Sequence, residues 1–406
     1  MSMNYILFDD EARHALLPFT HTRPIADIRC GIFTMRERWE QLLGKVTGTL
    51  TSKFLRALYP LNVEEENTWI SGALIGTEEM AAAIQAMPAE SVLKKDGEVI
   101  AIRSKKSVSA IRSENAGLQE NDYSLPYLKL RHNWDIFALN EQAIKLDFER
   151  ITRGRTSAPL PEAIITSGKE NIFLEEGAII QPGTVINAHN GPVYMAKGAE
   201  IMEGCLVRGP LAVCEGAVLK MGAKVYGGTT IGPGCKVGGE VSNAVFFANS
   251  NKGHDGFIGN AVIGEWCNLG ADTNASNLKN NYDTVKIWDE YAAKTISTGL
   301  TFCGLLMGDH SKCGINTMFN TGTVVGVSCN IYGGNFPEKF IPSFTWGGSD
   351  GSVTYSFPRA MDTARRMMAR RHLELTPAAE SAYKHIFDIT QEQRDFMYGR
   401  PQGPNN

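Results

Sequence analysis

The sequence predicts a left-handed parallel β-helix that is preceded by an α/β domain and followed by a helical tail. The main observation is a six-residue repeat of aliphatic side chains, at Ile201, Val207, Val213, Leu219, Val225, Ile231 and Val237 and, further on, at Met307, Cys313, Phe319, Val325 and Ile331. A small residue stands at the fifth place of most repeats, as at Cys205, Ala217, Ala223, Thr229, Cys235, Ser311, Thr317, Thr323 and Cys329. A period of six is typical of a solenoid in which each hexapeptide forms one face of a triangular coil. We expect the residues from Ile201 to Val237 to stack in one internal row.

The segment before the repeat has the pattern of an α/β domain. Strand-like runs at Asn4–Phe8 and Thr68–Leu74 alternate with helix-like runs at 31–43 and 77–87. Thr77 suits the N-cap of the second helix, and acidic residues follow it in the first turn. We therefore expect a Rossmann-like domain over residues 1–152.

The remaining boundaries follow from changes in composition. A polar, proline-containing linker over residues 153–163 leads into the β-helix, which we place at residues 165–348. Residues 349–406 are expected to form the helical tail. Its first helix, over residues 358–372, carries five arginines, which predicts a cationic surface.

Composition excludes several classes of function. The net charge of -4 over 406 residues implies no strong field toward nucleic acid, and no stretch reaches the roughly 18 apolar residues of a membrane span. The first residues lack the pattern of a signal peptide, and Cys205, Cys235, Cys267 and Cys329 occupy small-residue slots, as buried reduced thiols would. We therefore expect a cytoplasmic protein without nucleic-acid or membrane partners and without a bound metal.

Two breaks in the repeat are expected to carry chemistry, because insertions in a solenoid map to loops on one face, commonly the binding face. The first break, over residues 243–257, contains Lys252-Gly253-His254. The second break, over residues 272–300, contains an asparagine-rich run that ends in Tyr282.

These breaks carry a family resemblance. The run KGHDGFIGNAVIGEWCNLGADTNASNLKNNY resembles the acetyltransferase half of the bifunctional N-acetylglucosamine-1-phosphate uridyltransferase/glucosamine-1-phosphate N-acetyltransferase family, in its Bacteroidetes-type variant, and the similarity extends over about residues 170–348. The resemblance implies an acetyl-CoA-dependent N-acetyltransferase that acts on an amino sugar phosphate, such as glucosamine-1-phosphate, in UDP-N-acetylglucosamine biosynthesis. It also implies a homotrimer with sites between chains.

The resemblance assigns roles to several residues. His254 matches the catalytic histidine, and a base that titrates near neutral pH suits removal of a proton from a sugar amine. Lys252 either meets the sugar phosphate or is a solvated lysine. Asn268 matches a sugar-contacting asparagine, although asparagine ladders also occur at solenoid corners for structural reasons. The family's Asn-Tyr pair has two possible counterparts that bind the substrate, Asn277 or Asn281 with Tyr282, and the sequence does not decide between them. The positions that the resemblance assigns to the coenzyme are Gly270, Ala271, Asn316 and Thr317.

Competing histidine chemistry is weaker. His310 is the rival of His254, but the hexapeptide register predicts an outward structural position for it. A zinc site of the γ-carbonic-anhydrase kind needs several converging histidines, and His189, His254 and His310 do not have that spacing.

The N-terminal domain resembles a degenerate sugar nucleotidyltransferase. The family's glycine loop is replaced by Asp9-Asp10-Glu11, whose acids we expect to repel phosphate, and Gly72 stands where the family places a metal-binding aspartate. Arg13 and Arg23 remain candidates for holding a nucleotide or sugar phosphate. Mg²⁺ is implied only if nucleotidyl transfer is retained.

Three functions follow from these patterns. The first is CoA-dependent acetylation of an amino sugar phosphate. The second is a bifunctional enzyme that also transfers UMP to the sugar-1-phosphate. The third is a non-catalytic assembly protein that binds a sugar nucleotide. The tail arginines Arg365, Arg366, Arg370 and Arg371 form either a solvated face or a contact with coenzyme A phosphates or a neighbouring subunit.

Overall fold

The computed structural model describes residues 3–105 and 117–399, and the chain divides into two compact units. The first unit is made of Met1–Leu16, Thr22–Ile28 and Phe33–His132, and the second of Leu17–His21, Arg29–Ile32 and Asn133–Asn406. Helices Asp135–Ala138 and Asn140–Thr152, which lie within the residues 1–152 expected to form the first domain, are part of the second unit. No helix in the described ranges combines the length and the apolar character that a membrane crossing requires.

The first unit is built on a mixed six-stranded sheet. Its strands lie in the order Gly48–Leu50, Asn4–Phe8, Asn67–Ser71, Glu98–Ser104, Ser91–Lys95 and Gln119–Asp122. The first three are parallel, and Glu98–Ser104 runs antiparallel to both of its neighbours. Helices Ala12–Ala15, Met35–Leu43 and Glu78–Gln85 and the strand pair Leu74–Ile75 with Leu128–Lys129 complete the described part of the unit.

The two longer helices of this unit begin where their capping residues predict. Thr34 and Glu37 form a reciprocal capping box at 3.1 and 2.7 Å before helix Met35–Leu43, which ends at Gly44 in the left-handed region. Thr77 accepts a hydrogen bond from the Met80 amide at 3.2 Å, so the predicted N-cap is present.

The second unit is a parallel β-solenoid, which confirms the predicted fold class. Its strands fall into three stacked columns, one for each face. The first column contains Ile172–Leu174, Val193–Met195, Leu211–Val213, Thr229–Ile231, Leu306–Met307, Val324–Val325 and Phe340–Ile341. The second contains Ile165–Ser167, Val185–Asn187, Leu206–Arg208, Lys224–Val225, Asn274–Ala275 and Met318–Phe319. The third contains Ile179–Ile180, Glu200–Ile201, Val218–Leu219, Lys236–Val237, Asn251–Lys252, Asn268–Leu269, Lys312–Cys313, Asn330–Ile331 and Thr345–Gly348.

The aliphatic residues of the repeat are all internal, but they do not form one row. Ile201 pairs with Leu219, and Leu219 pairs with Val237, so the same face recurs after 18 residues. The intervening Val207 and Val213 lie on the other two faces. The expectation of a single internal row is therefore wrong, because each hexapeptide turns a corner before the next inward residue. The interior consists of three rows that share one core.

The small residues of the repeat fill the corners of the coil. Cys205, Ala217, Ala223, Thr229 and Cys235 are fully buried, as are their downstream counterparts. All eight cysteines are free and buried, and burial raises the pKa of the Cys235 thiol to about 12. These thiols act as small apolar fillers.

The two breaks in the repeat have different structures. At the first break, strands Glu240–Phe246 and Phe257–Ile263 each continue around a corner of the coil. The corner residues are Asn243 and Asn260, whose φ angles are 48° and 46°. Asparagine tolerates the left-handed region better than most residues, so the coil continues without a gap. The second break contains an antiparallel hairpin of strands Lys286–Asp289 and Lys294–Ser297.

Helices pack against the coil within the second unit. They are Asp135–Ala138, Asn140–Thr152, Phe357–Ala369, Pro377–Ile389 and Gln391–Tyr398, and a hairpin strand, Gly351–Thr354, precedes the last three. Asn140 donates to the Gly228 carbonyl at 2.7 Å and accepts from Thr230 at 3.1 Å. Arg394 is buried and donates to the Ser343 carbonyl at 3.1 Å, which ties the last helix to the end of the coil.

Candidate functional site

A cavity of about 540 Å³ lies on the coil and brings together four of the predicted site residues. It is lined by the predicted His254, Asn268, Gly270 and Ala271 and by Lys220, Lys236, Asn251, Gly253, Leu269, Ile315, Arg370 and Arg371. A cavity of this size suits a small molecule or one end of a larger one. The cavity is the candidate active site.

His254 lies at a corner of the coil, just after strand Asn251–Lys252. Its side chain is exposed, and within residues 3–105 and 117–399 its imidazole forms no hydrogen bond. Its backbone carbonyl accepts a hydrogen bond from Lys252 at 2.8 Å. The backbone of the corner is thus fixed, while both ring nitrogens remain available to a ligand in the cavity.

Lys252 occupies neither of the positions considered for it. It pairs with Val237 in the third column, so its side chain lies inside the coil in an otherwise apolar row. Its ammonium donates to the carbonyls of Gly238, His254 and Asp255 at 3.1, 2.8 and 3.1 Å. An ammonium has three donors, and all three are used. The expected contact with a sugar phosphate is therefore not supported by this geometry.

The predicted residues after His254 form the floor of the cavity. Asn268 is exposed and pairs in register with Asn251 on one side and Lys312 on the other, so it stands in an outward polar column. A Cβ at Gly270 would lie 2.5 Å from the backbone of Gly314 in the next turn. Glycine is required there by coil packing, and it leaves the backbone open toward the cavity.

The lining of the cavity is cationic. Lys220, Lys236, Arg370 and Arg371 contribute four positive charges, and no aspartate or glutamate is among the described lining residues. Arg371 donates to the Gly234 carbonyl at 2.6 Å, which attaches the tail to the coil. A concave surface of one sign attracts anions, and phosphates above all.

The four tail arginines separate into two pairs. Arg370 and Arg371 line the cavity, whereas Arg365 pairs with Glu380 at 2.6 Å and Arg366 with Asp362 at 2.8 Å. The first pair supports the hypothesis of a phosphate contact. The second pair consists of exposed ion pairs, which contribute little stability.

The other predicted contacts lie outside the cavity. Asn277 donates to Asn260 at 2.8 Å, and Asn260 donates to Asn243 at 3.0 Å in the Asn243 amide orientation that satisfies all of its neighbours, so these residues form a corner ladder of the structural kind. Asn281 caps a local turn through Asp283 at 3.2 Å, and Tyr282 is exposed.

The downstream coenzyme candidates adjoin the cavity but are not among its lining residues. Asn316 is exposed, and its amide donates to the Ala271 carbonyl at 2.8 Å. Thr317 is buried in a corner, where its hydroxyl donates to the Gly314 carbonyl at 2.9 Å. Thr317 therefore has a structural position.

His310 is buried under the tail helix Pro377–Ile389. Its ring stacks on Trp266 with centroids 6.0 Å apart and meets the edge of Tyr383 at 5.4 Å. His310 is thus covered by these rings and is not solvated, and its structural role stays a prediction.

The first unit has an acid-rich loop where the family resemblance expects a phosphate site, and its carboxylates are satisfied internally. Asp9 accepts from Arg13 at 2.6 Å, from Thr51 at 2.5 Å and from the Ile25 amide at 2.8 Å. Burial raises the pKa of Asp9 despite these contacts. Asp10 forms an ion pair with Lys129 at 2.9 Å. We expected these acids to repel phosphate, but the structure gives a different reason why the loop would not bind it. The carboxylates already accept hydrogen bonds from the amide and cationic groups that a phosphate would need.

The remaining nucleotidyl-transfer positions are equally constrained. A Cβ at Gly72 would lie 3.2 Å from the Ala26 amide and 3.3 Å from the Phe8 carbonyl. Arg13 is committed to Asp9, to the Arg23 carbonyl at 3.2 Å and to Thr51 at 3.3 Å. Arg23 is buried.

Among the lining residues that the sequence analysis missed, three are polar. Lys220, Lys236 and Asn251 each stand next to an inward residue of the third column, and Lys236 pairs with Asn251. No fixed spacing identifies this column in the sequence, because Asn251 follows Lys236 by 15 residues and Asn268 follows Asn251 by 17.

The two halves of the chain resemble two classes of protein. The sugar nucleotidyl transferase family matches residues 5–156. The bifunctional GlmU protein of Methanocaldococcus jannaschii is 31% identical over 107 residues, which are 26% of each chain. A bifunctional sugar-1-phosphate nucleotidylyltransferase/acetyltransferase of Sulfurisphaera tokodaii is 34% identical over 95 residues, which are 23% of each chain.

An uncharacterized acetyltransferase, YaiX of Escherichia coli O6:K15:H31, is 25% identical over 174 residues, 42% of this chain and 75% of the relative. The resemblance to bifunctional nucleotidyltransferase/acetyltransferase proteins is thereby confirmed. The chain spans about a quarter of the length of the two bifunctional relatives.

The buried Lys252 predicts a specific pH dependence of stability. Burial lowers the pKa of Lys252 from 10.5 to about 8, so between these values the unfolded chain binds a proton that the folded chain does not. Stability should rise with pH across this window. The free energy of unfolding of the wild type, relative to Lys252→Met, should increase by about 1–3 kcal/mol from pH 7 to pH 10.

Denaturant unfolding of both proteins at several pH values measures this difference. The exposed Lys236 gives the matched control, because Lys236→Met should show no such pH-dependent difference from the wild type. If the difference in unfolding free energy between the wild type and Lys252→Met is the same at every pH, the pKa of Lys252 is not lowered by burial.

Proposed function

We propose that the protein is a CoA-dependent N-acetyltransferase whose acceptor is an amino sugar phosphate, glucosamine-1-phosphate above all. The observation that carries the proposal is the cavity in which the free imidazole of His254 faces four cationic side chains and no described carboxylate. The acetyltransferase relatives support the reaction class. The cationic lining supports an anionic acceptor and a phosphate-bearing acyl donor.

In this mechanism, His254 acts as the general base. The sugar amine attacks the thioester carbonyl that acetyl-CoA supplies, His254 takes the proton that the nitrogen loses, and the thiolate leaves and is protonated. The His254 ring forms no hydrogen bond within the described residues, so a ring nitrogen can accept that proton without first breaking a contact with the protein. We assign Lys220 and Lys236 to the sugar phosphate and the tail residues Arg370 and Arg371 to the coenzyme phosphates.

A homotrimer is part of the proposal. Within one chain the exposed Asn281, Tyr282 and Asn316 do not line the cavity. In a side-by-side assembly of coils, exposed residues of one chain can complete the site of the next. The substrate and coenzyme roles expected for these three residues therefore depend on assembly.

UMP transfer by the first unit is the second candidate function, and the match of residues 5–156 favours it. The internal pairing of Asp9 and Asp10 opposes it, because the groups that would cradle a nucleotide phosphate are engaged. A third candidate, a non-catalytic assembly protein that binds a sugar nucleotide, agrees with such a first unit. It does not explain the cationic cavity of the second unit.

His254→Ala should lower kcat for acetyl transfer about 10²–10⁴-fold, the range that positioned proton transfer supplies. The KM for acetyl-CoA should change little, because the base faces the amine. Release of free thiol from acetyl-CoA with a panel of amino sugar phosphates measures the rate. His310→Phe is the matched control, since it keeps a ring between Trp266 and Tyr383, and it should retain turnover within a few-fold. Near-normal turnover of a folded His254→Ala protein would refute the assignment.

Lys236→Ala should raise the KM for the sugar phosphate about 10- to 100-fold, as expected for the loss of a charge-assisted hydrogen bond. The KM for the unphosphorylated amino sugar should stay nearly constant. Arg366→Ala removes the same charge outside the cavity and serves as the control. Equal effects of the two substitutions would indicate only a change in net charge.

The intact protein should release little or no pyrophosphate from UTP and a sugar-1-phosphate in the presence of Mg²⁺. The reason is that Asp9 and Asp10 already occupy the donors of the loop. A coupled pyrophosphate assay, with chelator-treated protein as the blank, measures the activity. Robust Mg²⁺-dependent release would instead establish the bifunctional enzyme.

A further inference from the structure

A second cavity, of about 300 Å³, lies within the second unit and shares no lining residue with the His254 cavity. It is bounded by the hairpin after Val285, the coil and the last helix. Its lining includes three aromatic rings, two carboxylates and one carboxamide, from Trp288, Phe340, Phe396, Glu290, Glu392 and Gln393. No lysine or arginine of the described ranges lines it.

Glu290 is the central group of this cavity. Its side chain is only 2% exposed, and one oxygen, Oε1, lies 2.7 Å from Nε2 of the equally buried His21. Within the described ranges its other oxygen, Oε2, has no hydrogen-bond partner although it is buried. A buried carboxylate oxygen without a donor is costly, and in a native structure it indicates a missing ion, water or ligand.

A second acceptor in the same lining lacks a donor. The buried side-chain oxygen of Gln393 has no partner among residues 3–105 and 117–399. Glu392, on the preceding position of the same helix, adds a carboxylate at the exposed rim. The cavity therefore offers negative charge and two acceptor oxygens that lack a partner in the described ranges, and its described lining has no cationic side chain.

The aromatic rings favour the same kind of ligand. Trp288 and Phe340 stack with centroids 5.4 Å apart and an interplanar angle of 22°, and Phe396 is 80% exposed at the opening. Aromatic faces attract cations, and an alkyl chain gains from burial against them. A metal ion would gain little from three aromatic rings.

We propose that this cavity binds a small organic cation that carries several N–H donors, a primary alkylammonium or an alkylguanidinium. Its N–H groups donate to Glu290 Oε2 and to the Gln393 carbonyl oxygen, its charge is neutralised by the two carboxylates, and its alkyl part packs on Trp288 and Phe340. The site is independent of acetyl transfer and acts as an accessory binding site.

The test uses n-butylguanidinium and n-butylammonium as probes on the full-length protein, with binding followed by saturation-transfer NMR and calorimetry. Both cations should bind saturably, and neutral n-butylurea should bind at least about tenfold more weakly, since it lacks the charge that the carboxylates neutralise. Equal binding of the urea, or no saturable binding of either cation, would overturn the proposal.

Variants locate the binding. Glu290→Gln should weaken the binding of n-butylguanidinium at least about tenfold, as for loss of a buried charge-assisted bond. Phe396→Ala should weaken it about two- to fivefold, because an exposed cation–π contact contributes about 0.5–1 kcal/mol. Both side chains contact the cation in the proposed complex. Because Phe396 is exposed, its truncation should leave the fold intact. Glu374→Gln, an exposed carboxylate on the tail outside the lining, is the control and should bind as the wild type. Wild-type affinity in both folded cavity variants would overturn the proposal.

Discussion

The structure of the second unit depends on the closure of its coil by parallel backbone ladders. Each turn contributes one inward side chain per face, and the next turn covers it in register, as Leu219 is covered by Val237. Successive turns lie so close that a Cβ at Gly270 would lie 2.5 Å from Gly314. Because inward positions are fixed in this way, the outward positions are fixed too, and they form straight polar columns. The candidate site is one such column, formed by Asn251 and Asn268. Lys220 and Lys236 lie beside it, and Arg370 and Arg371 of the tail complete the lining.

Lys252 is the exception to the apolar interior, and it explains how the corner that carries His254 is held. An ammonium inside a coil is expensive unless every donor is satisfied. The three carbonyls that satisfy it come from Gly238 and from the corner residues His254 and Asp255. The interior of the coil and the backbone of the catalytic candidate are therefore joined by one charged side chain. A shorter or apolar residue at this position would fill the row but leave these carbonyls without that donor.

The sequence was sufficient for the fold and for part of the site. A six-residue period of aliphatic residues is typical of a coil of this kind, so the solenoid and its small-residue corners were predictable. The single row was wrong because a period in sequence does not show which face a residue occupies. Lys252 was misjudged because glycine and polar residues surround it, which is the composition of a solvated loop. In the sequence, Lys220 and Lys236 resemble ordinary surface lysines. They line a cavity only because the fold brings Arg370 and Arg371 of the tail close to them, which the sequence does not show.

The two units treat phosphate chemistry in opposite ways. In the first unit, the carboxylates of Asp9 and Asp10 take the place of a phosphate, because they accept from the amide of Ile25 and from the cationic side chains of Arg13 and Lys129. Such a loop is stable when empty and has nothing to gain from an anionic ligand. In the second unit, the lysines and arginines of the cavity have no carboxylate in the described lining to neutralise them. Positive charges gathered without counter-charges raise the free energy of the empty state, and an anionic ligand lowers it. The electrostatic imbalance therefore lies in the second unit, and it is there that the proposed anionic substrate would lower the free energy by binding.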